Sequence, residues 1–208
     1  MEKIKTYILY IYNLIPAPIY GLLSAIVGLS GDVISVLLFQ GYTLNHMMSA
    51  LGTGAGGIFF NMGTFLSGIF ALLFYLYLIK VIGKETNDIK LYKAWSIFTV
   101  TSCILFSLIG VFPTSKNTII FLLHGIFTLI SLLSAILYLT LFGYLISKSN
   151  NFPRFFVYLA LITTVTIVVF LFTWIPITEW IMALAVAVWI TLISAYMLYY
   201  KIWSRFAN

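Results

Sequence analysis

The chain has 208 residues, 62% of them hydrophobic and 8% charged, with a mean hydropathy of +1.11. That leaves too little polar surface to coat a soluble domain, so the composition puts the chain in a bilayer and excludes a separate water-soluble domain. Eleven lysines and arginines against five acids give a net charge of +6, which is read as a topology signal with some pull on anionic lipid headgroups and implies no nucleic-acid partner.

Spans of about 20 apolar residues with short loops leave room for roughly six helices in one transmembrane domain, residues 1–208. The expected fold is all-α: a polytopic bundle of six transmembrane helices preceded by a short N-terminal interfacial helix. The opening MEKIKTYILYIYNLI has lysines and an apolar stretch but no small-residue cleavage site, so it reads as mature chain rather than a removed signal peptide. Residues 7–39 are almost continuously apolar, and as one helix they would be about 50 Å long against a hydrocarbon core of about 30 Å. Pro16 and Pro18 break the run, because proline suits a first turn and disfavours a helix interior. Lys3 to Leu14, with Tyr7, Tyr10 and Tyr12, is therefore read as the interfacial helix, and residues 18–39 as the first span. The alternative frame, residues 7–29, lifts Asp32 to the membrane edge but leaves both prolines inside the helix.

The loop from Gln40 to Gly57, free of lysine and arginine, leads into a second span, residues 58–81. GKETNDIKLYK follows with turn chemistry, then a third span, residues 94–112, closed by Pro113. The fourth span is residues 118–146, the fifth 155–174 and the sixth 180–202, with SKSNNFPR and IPITE as the turns around the fifth. On these spans ten of the eleven cations (Lys3, Lys5, Lys80, Lys84, Lys90, Lys93, Lys148, Arg154, Lys201 and Arg205) share one side, with only Lys116 on the other. The expected location is the cell membrane, with both termini cytoplasmic. Trp174 and Trp180 mark the outer interface, and Tyr199, Tyr200 and Trp203 the inner.

Helices in lipid meet through small and weakly polar side chains, and these form stripes along the spans. Ser24, Gly28, Asp32 and Ser35 lie on the first span and Asn61, Thr64 and Gly68 on the second. The third carries Thr99, Cys103, Ser107 and Gly110, the fourth His124, Thr128, Ser131 and Ser134. Shorter stripes, Ala160 with Thr164 and Ala183, Ala187, Thr191 with Ser194, mark the last two spans. Asp32 and His124 fall at similar depth, roughly 10 to 12 Å below the outer surface. A buried carboxylate must be protonated or partnered, which makes Asp32, His46 and His124 the candidate catalytic residues, none of them assigned a role. The expected cavity is lined by Asp32, Ser35, Asn61, Thr64, His124 and Thr128. Over it the Gln40 to Gly57 loop, with His46, Ser49, Gly52 and Gly54, forms a lid hinged on its glycines. The plainer readings are a neutral Asp32 bonded to Ser35 or to a neighbouring helix, His124 as interhelical glue, and His46 as a solvated loop residue.

His46, His124, Asp32 and Glu179 show no HxxxH or i, i+4 pairing, and the lone Cys103 no CxxC, so neither a metal site nor a cofactor is expected. The loop glycines lack the strand and the GKS or GKT of a phosphate loop. Nucleophilic catalysis through Ser49, Thr114 or Ser115 has no GxSxG support, and the inner half has no acids for a transport relay.

The segment YTLNHMMSALGTGAGGIFFNMG, GVFP at Gly110 to Pro113, and His124 in the following span resemble the six-span membrane family called domain of unknown function 998. More distantly they look like eukaryotic autophagy-modulator and GPI-anchor-remodelling membrane proteins. The resemblance maps an SxLG element, an early asparagine and a GxFP turn followed by histidine onto Ser49, Leu51, Gly52, Asn61, Gly110, Phe112, Pro113 and His124. Where it implies an acid, the chain has Ala50 and Thr114, which removes support for a transferred metal or acid-base role. The prokaryotic family brings no established activity. The expected function is a non-enzymatic bundle whose outer-half cavity binds lipid, a small ligand or a partner protein. The alternatives are an outer-facing intramembrane lipid hydrolase or transferase, and an accessory subunit of a larger membrane complex.

Overall fold

Prolines and short polar caps decide where the helices begin. In the computed structural model, which describes residues 12, 15–86, 88–114, 117–149 and 151–202, α1 spans Ala17–Leu38 with proline in its first turn. A missing N–H is harmless there, because the first-turn donors have no intrahelical acceptor. This start leaves Asp32 well inside the helix, roughly 9 Å before its end. α2 (Gly57–Gly83) follows a link that contains a 3-10 helix, Met48–Thr53. α3 (Ile89–Val111) begins five residues earlier than the sequence reading places it, because the Asp88 side chain accepts from the Leu91 N–H and caps the helix there. Asn117 does the same for α4 (Thr118–Ser147), accepting from Ile119 and Ile120. α5 (Phe155–Thr173) stops at Trp174, which is left-handed with φ 50. α6 (Pro176–Tyr199) again has proline in its first turn, so IPITE is the start of a helix rather than a turn. That correction moves Glu179 onto α6.

All six helices are long and apolar enough to cross a membrane, and no strand occurs among the described residues. The protein is an all-α, multi-pass membrane bundle. The interfacial helix read over Lys3 to Leu14 lies outside the described residues except for Tyr12, whose hydroxyl donates to the Leu73 carbonyl at 2.6 Å.

Each helix packs chiefly on its neighbours in sequence, and α6 closes the ring onto α1. The closest approach of α1 to α2 needs glycine: a Cβ on Gly31 would sit 2.6 Å from the Phe59 carbonyl oxygen and 3.0 Å from the Gly63 Cα. Two turns back along α1 and one turn on along α2, Ser24 and Ser67 are hydrogen-bonded across the same pair of helices at 3.1 Å. α3 and α4 are joined by a reciprocal pair, each hydroxyl of Ser102 and Ser131 donating to the other residue's carbonyl at 3.0 Å. Packing of this kind replaces hydrophobic drive between helices in lipid.

The core is uneven along the membrane normal. Phe74, Leu78, Trp95, Phe142, Trp189 and Ile193 are among the fully buried side chains of the main cluster, which lies toward the end of the bundle carrying all the described lysines and the arginine. Its polar centre is satisfied internally, with Trp189 Nε1 donating to the Tyr75 hydroxyl at 2.8 Å and Tyr75 bonded to Tyr138 at 3.2 Å. At the lysine-poor end the buried apolar cluster is smaller, with Met48, Leu51 and Phe60 as its described buried members.

Candidate functional site

The lysine-poor end is organised by the α1–α2 link, residues 39–56, which three helices hold in place. From the first turn of α6, Glu179 accepts the Met48 N–H at 2.6 Å and the Ser49 N–H at 3.3 Å. These are donors at the start of the 3-10 helix, whose first amides otherwise lack acceptors. The next residue, Trp180, donates its Nε1–H to the Tyr42 hydroxyl at 2.9 Å. Tyr42 in turn donates toward the carbonyls of His46 and Met47, at 3.2 and 3.3 Å. From α1, Ser35 donates to the Gly56 carbonyl at 2.8 Å, and from α2, Asn61 Nδ2 donates to the Gly52 carbonyl at 3.0 Å. The loop glycines read as hinges are points of close contact. A Cβ on Gly57 would lie 2.4 Å from the Gly52 carbonyl oxygen, and one on Gly56 would lie 2.7 Å from the Ser35 Cα. The link is a pinned cap.

Asp32 is buried beneath this cap. It is 7% exposed and makes no hydrogen bond to any described residue; Ser35, its expected partner, is engaged by Gly56. It lies within electrostatic reach of the Glu179 carboxyl and the Tyr42 hydroxyl, so that ionising one disfavours ionising the others. Burial pushes the Tyr42 phenol above its usual range, the hydrogen bond from Trp180 opposes that, and the carboxylates of Glu179 and Asp32 add to the rise. Val36, one turn above Asp32 on the same face, packs with Phe39, Tyr42 and Trp180 against the Met48, Leu51 and Phe60 cluster. The described cations, Lys80, Lys84, Lys90, Lys93, Lys148, Arg154 and Lys201, all belong to the other end. Two acids therefore lie at an end of the bundle that has no described counter-charge.

Asn61, against Gly52 and the α3 glycine Gly110, has its Oδ1 sealed from solvent and unpartnered. Thr64 is buried on α2. Thr128 Oγ1, on α4, is sealed without a partner. His124, 8% exposed, is tied elsewhere: its Nδ1 lies 2.8 Å from the Phe112 carbonyl and its Nε2 3.3 Å from the Thr114 hydroxyl. The carbonyl requires the proton on Nδ1, leaving Nε2 to accept from Thr114. His46 is exposed, with its Nδ1 3.1 Å from the Thr43 hydroxyl. Neither histidine is bonded to Asp32 or Glu179, and no cluster of three histidines, cysteines or acids able to hold a metal occurs among the described residues.

Glu179, Tyr42 and Trp180 are the site residues that sequence reasoning leaves out of this cluster. The available signal was Pro176, which as a first-turn proline puts Glu179 on a helix face instead of in a turn. The remaining motif positions form one continuous set. Asn61 bonds Gly52, a Cβ on Gly52 would lie 3.4 Å from Pro113, Gly110 lies against the Asn61 carbonyl, and His124 bonds Phe112.

The family model described as "Protein of unknown function (DUF998)" matches residues 22–196, a range that reaches from α1 into α6. No curated protein and no solved structure matches the chain.

Proposed function

The chain belongs to this family of proteins of unknown function, and we propose that it is a non-enzymatic membrane protein whose lysine-poor end is a binding site centred on Asp32. One observation carries the reading: a carboxylate that is 7% exposed, has no described hydrogen-bond partner and stands beside a second acid. Burying an ion without compensation costs several kcal/mol. The polar groups of Ser35, Glu179 and Tyr42 are engaged in holding the cap, which leaves protonation or a bound group to compensate Asp32, and we take the second. The distribution of lysine and arginine supports a cell-membrane location with both termini cytoplasmic and the site facing outward. Lipids of that leaflet, a small ligand or a segment of a membrane partner are the occupants this placement offers.

Thermal unfolding of the wild type, Asp32→Asn and His124→Ala, each with and without added lipids, tests the reading. A ligand-induced rise in Tm that is lost in Asp32→Asn and kept in His124→Ala supports it. Lowered stability in both variants with every ligand response intact assigns the residues to packing alone.

An outer-facing lipid hydrolase or transferase needs a histidine base oriented by Asp32, and the engagement of both His124 nitrogens with the α3–α4 turn favours the binding reading over it. An accessory subunit of a larger complex fits the uncharged loop at the cap, and the native mass of protein purified without overexpression tests it. The more distant eukaryotic likeness has no curated match behind it, and no residue role is taken from it.

A further inference from the structure

We propose that the group bound at Asp32 is an organic ammonium, held by the Asp32 and Glu179 carboxylates and by the aromatic rings of Tyr42, Trp180 and Phe39. The proposal rests on the binding reading given above and specifies its chemistry.

Charge sets the first constraint. Asp32 and Glu179 are near enough to feel one another, and no described lysine or arginine lies at their end of the bundle. Glu179 is partly compensated by two backbone amides, whereas Asp32 has no hydrogen-bond partner among the described residues. Where the pair is ionised, the ligand that neutralises it carries positive charge and takes the place of the proton that would otherwise leave Asp32 neutral.

The surroundings set the second. A compact divalent cation needs six or more oxygen ligands, or several well-placed nitrogen and sulfur ligands, around it, and the described residues offer no group of three such side chains. Trp180 follows Glu179 in the chain, and with Tyr42, Phe39 and Val36, the last one turn above Asp32, it packs on the Met48, Leu51 and Phe60 cluster. Tyr42 and Trp180 meet edge to face with centroids 6.3 Å apart, and Phe39 lies 5.6 Å from Tyr42. Ring faces combined with a carboxylate suit a diffuse, weakly hydrated ammonium, because the ring quadrupole attracts the cation while the ligand's carbon substituents bury against apolar surface. The hydrogen bond from Trp180 to Tyr42 fixes the two rings relative to each other before anything binds. Such an ammonium reaches the site either as the headgroup of a lipid in the adjacent leaflet or as a small free amine; in both cases its positive charge faces Asp32, a quaternary choline through ion and ring contacts alone and a primary ethanolamine also through N–H donors.

The experiment uses the full-length protein in a neutral maltoside detergent. Tm is followed while choline chloride is titrated against sodium chloride at matched ionic strength. In parallel, native mass spectrometry records retention of phosphatidylethanolamine, phosphatidylcholine and phosphatidylglycerol. Choline is expected to give a saturable rise in Tm that sodium does not. Asp32→Asn should weaken it at least about tenfold, as loss of a buried charge-assisted contact does. Trp180→Leu should weaken it roughly 2- to 30-fold. Trp180→Phe, which keeps a ring but loses the N–H, should bind more tightly than Trp180→Leu and so separates the ring's role from damage to the cap. Selective retention of the two ammonium lipids, with free choline displacing them, assigns the headgroup as the source; a choline response without lipid retention assigns a free amine. Equal responses to sodium and choline, or a choline response unchanged in Asp32→Asn, overturns the proposal. If an Asp32-dependent response belongs to phosphatidylglycerol instead, the ammonium assignment falls and the binding site stands. If no ligand response depends on Asp32, both fall.

Discussion

Asp32 and Glu179 are the same functional group in different circumstances. Glu179 finds amide donors at the start of a 3-10 helix, and Asp32 finds none among the described residues. Removing the Glu179 acceptor leaves two amides without a partner, at a cost of about 1 to 3 kcal/mol. Glu179→Ala should therefore speed hydrogen exchange at Met48 and Ser49 roughly 5- to 150-fold, while Glu179→Gln, which still offers an oxygen, should speed it less. Unchanged protection in Glu179→Ala would mean that the loop holds itself. The two acids also differ in how readable they were. The depth of Asp32 follows from where Pro18 starts α1, which is local information. The role of Glu179 depends on meeting a backbone 131 residues away, and no period or motif announces that. His124 was legible as polar glue, but its partner, the Phe112 carbonyl of the turn just before its own helix, was not.

Among the helices, the small-residue stripes proved informative because in lipid a close backbone approach needs small side chains whatever the fold. Gly31 is the sharpest case, with the Phe59 carbonyl oxygen 2.6 Å from where a Cβ would go. Gly31→Ala should force α1 and α2 apart and destabilise the bundle by about 1 to 3 kcal/mol. Gly125→Ala, at a position with nothing within 4 Å, should stay within about 1 kcal/mol of wild type. Comparing the two in a reversible detergent-unfolding assay separates packing from helix propensity; equal effects would contradict the close approach. Ser102→Ala and Ser131→Ala each remove one hydroxyl-to-carbonyl bond, so each is expected to cost roughly 0.6 kcal/mol, the average for such bonds in a membrane protein, and the double variant to show near-additive loss. Helix ends were less legible. α3 starts early because Asp88 caps it and α6 because Pro176 opens it, and both signals lay in stretches that read equally well as turns.

Across the whole bundle, aromatic bulk and described positive charge gather at one end and the polar cap at the other. The six-helix count was legible from composition and from the lysine pattern. The order of helices around the ring and the fixing of the cap depend on contacts between distant segments and were not. Orientation is open to direct measurement. In a Cys103→Ser background, an impermeant maleimide applied to intact cells should label Asn45→Cys in the exposed cap and leave Lys90→Cys at the basic end unlabelled; the reverse pattern would turn the site toward the cytoplasm. The most direct test of the binding claim is a high-resolution experimental structure of the protein extracted with its native lipids. The account predicts ordered non-protein density within hydrogen-bonding distance of the Asp32 carboxylate, bounded by Glu179, Tyr42 and Trp180. A carboxylate hydrogen-bonded within the protein, or turned to lipid, with no density beside it, would contradict it.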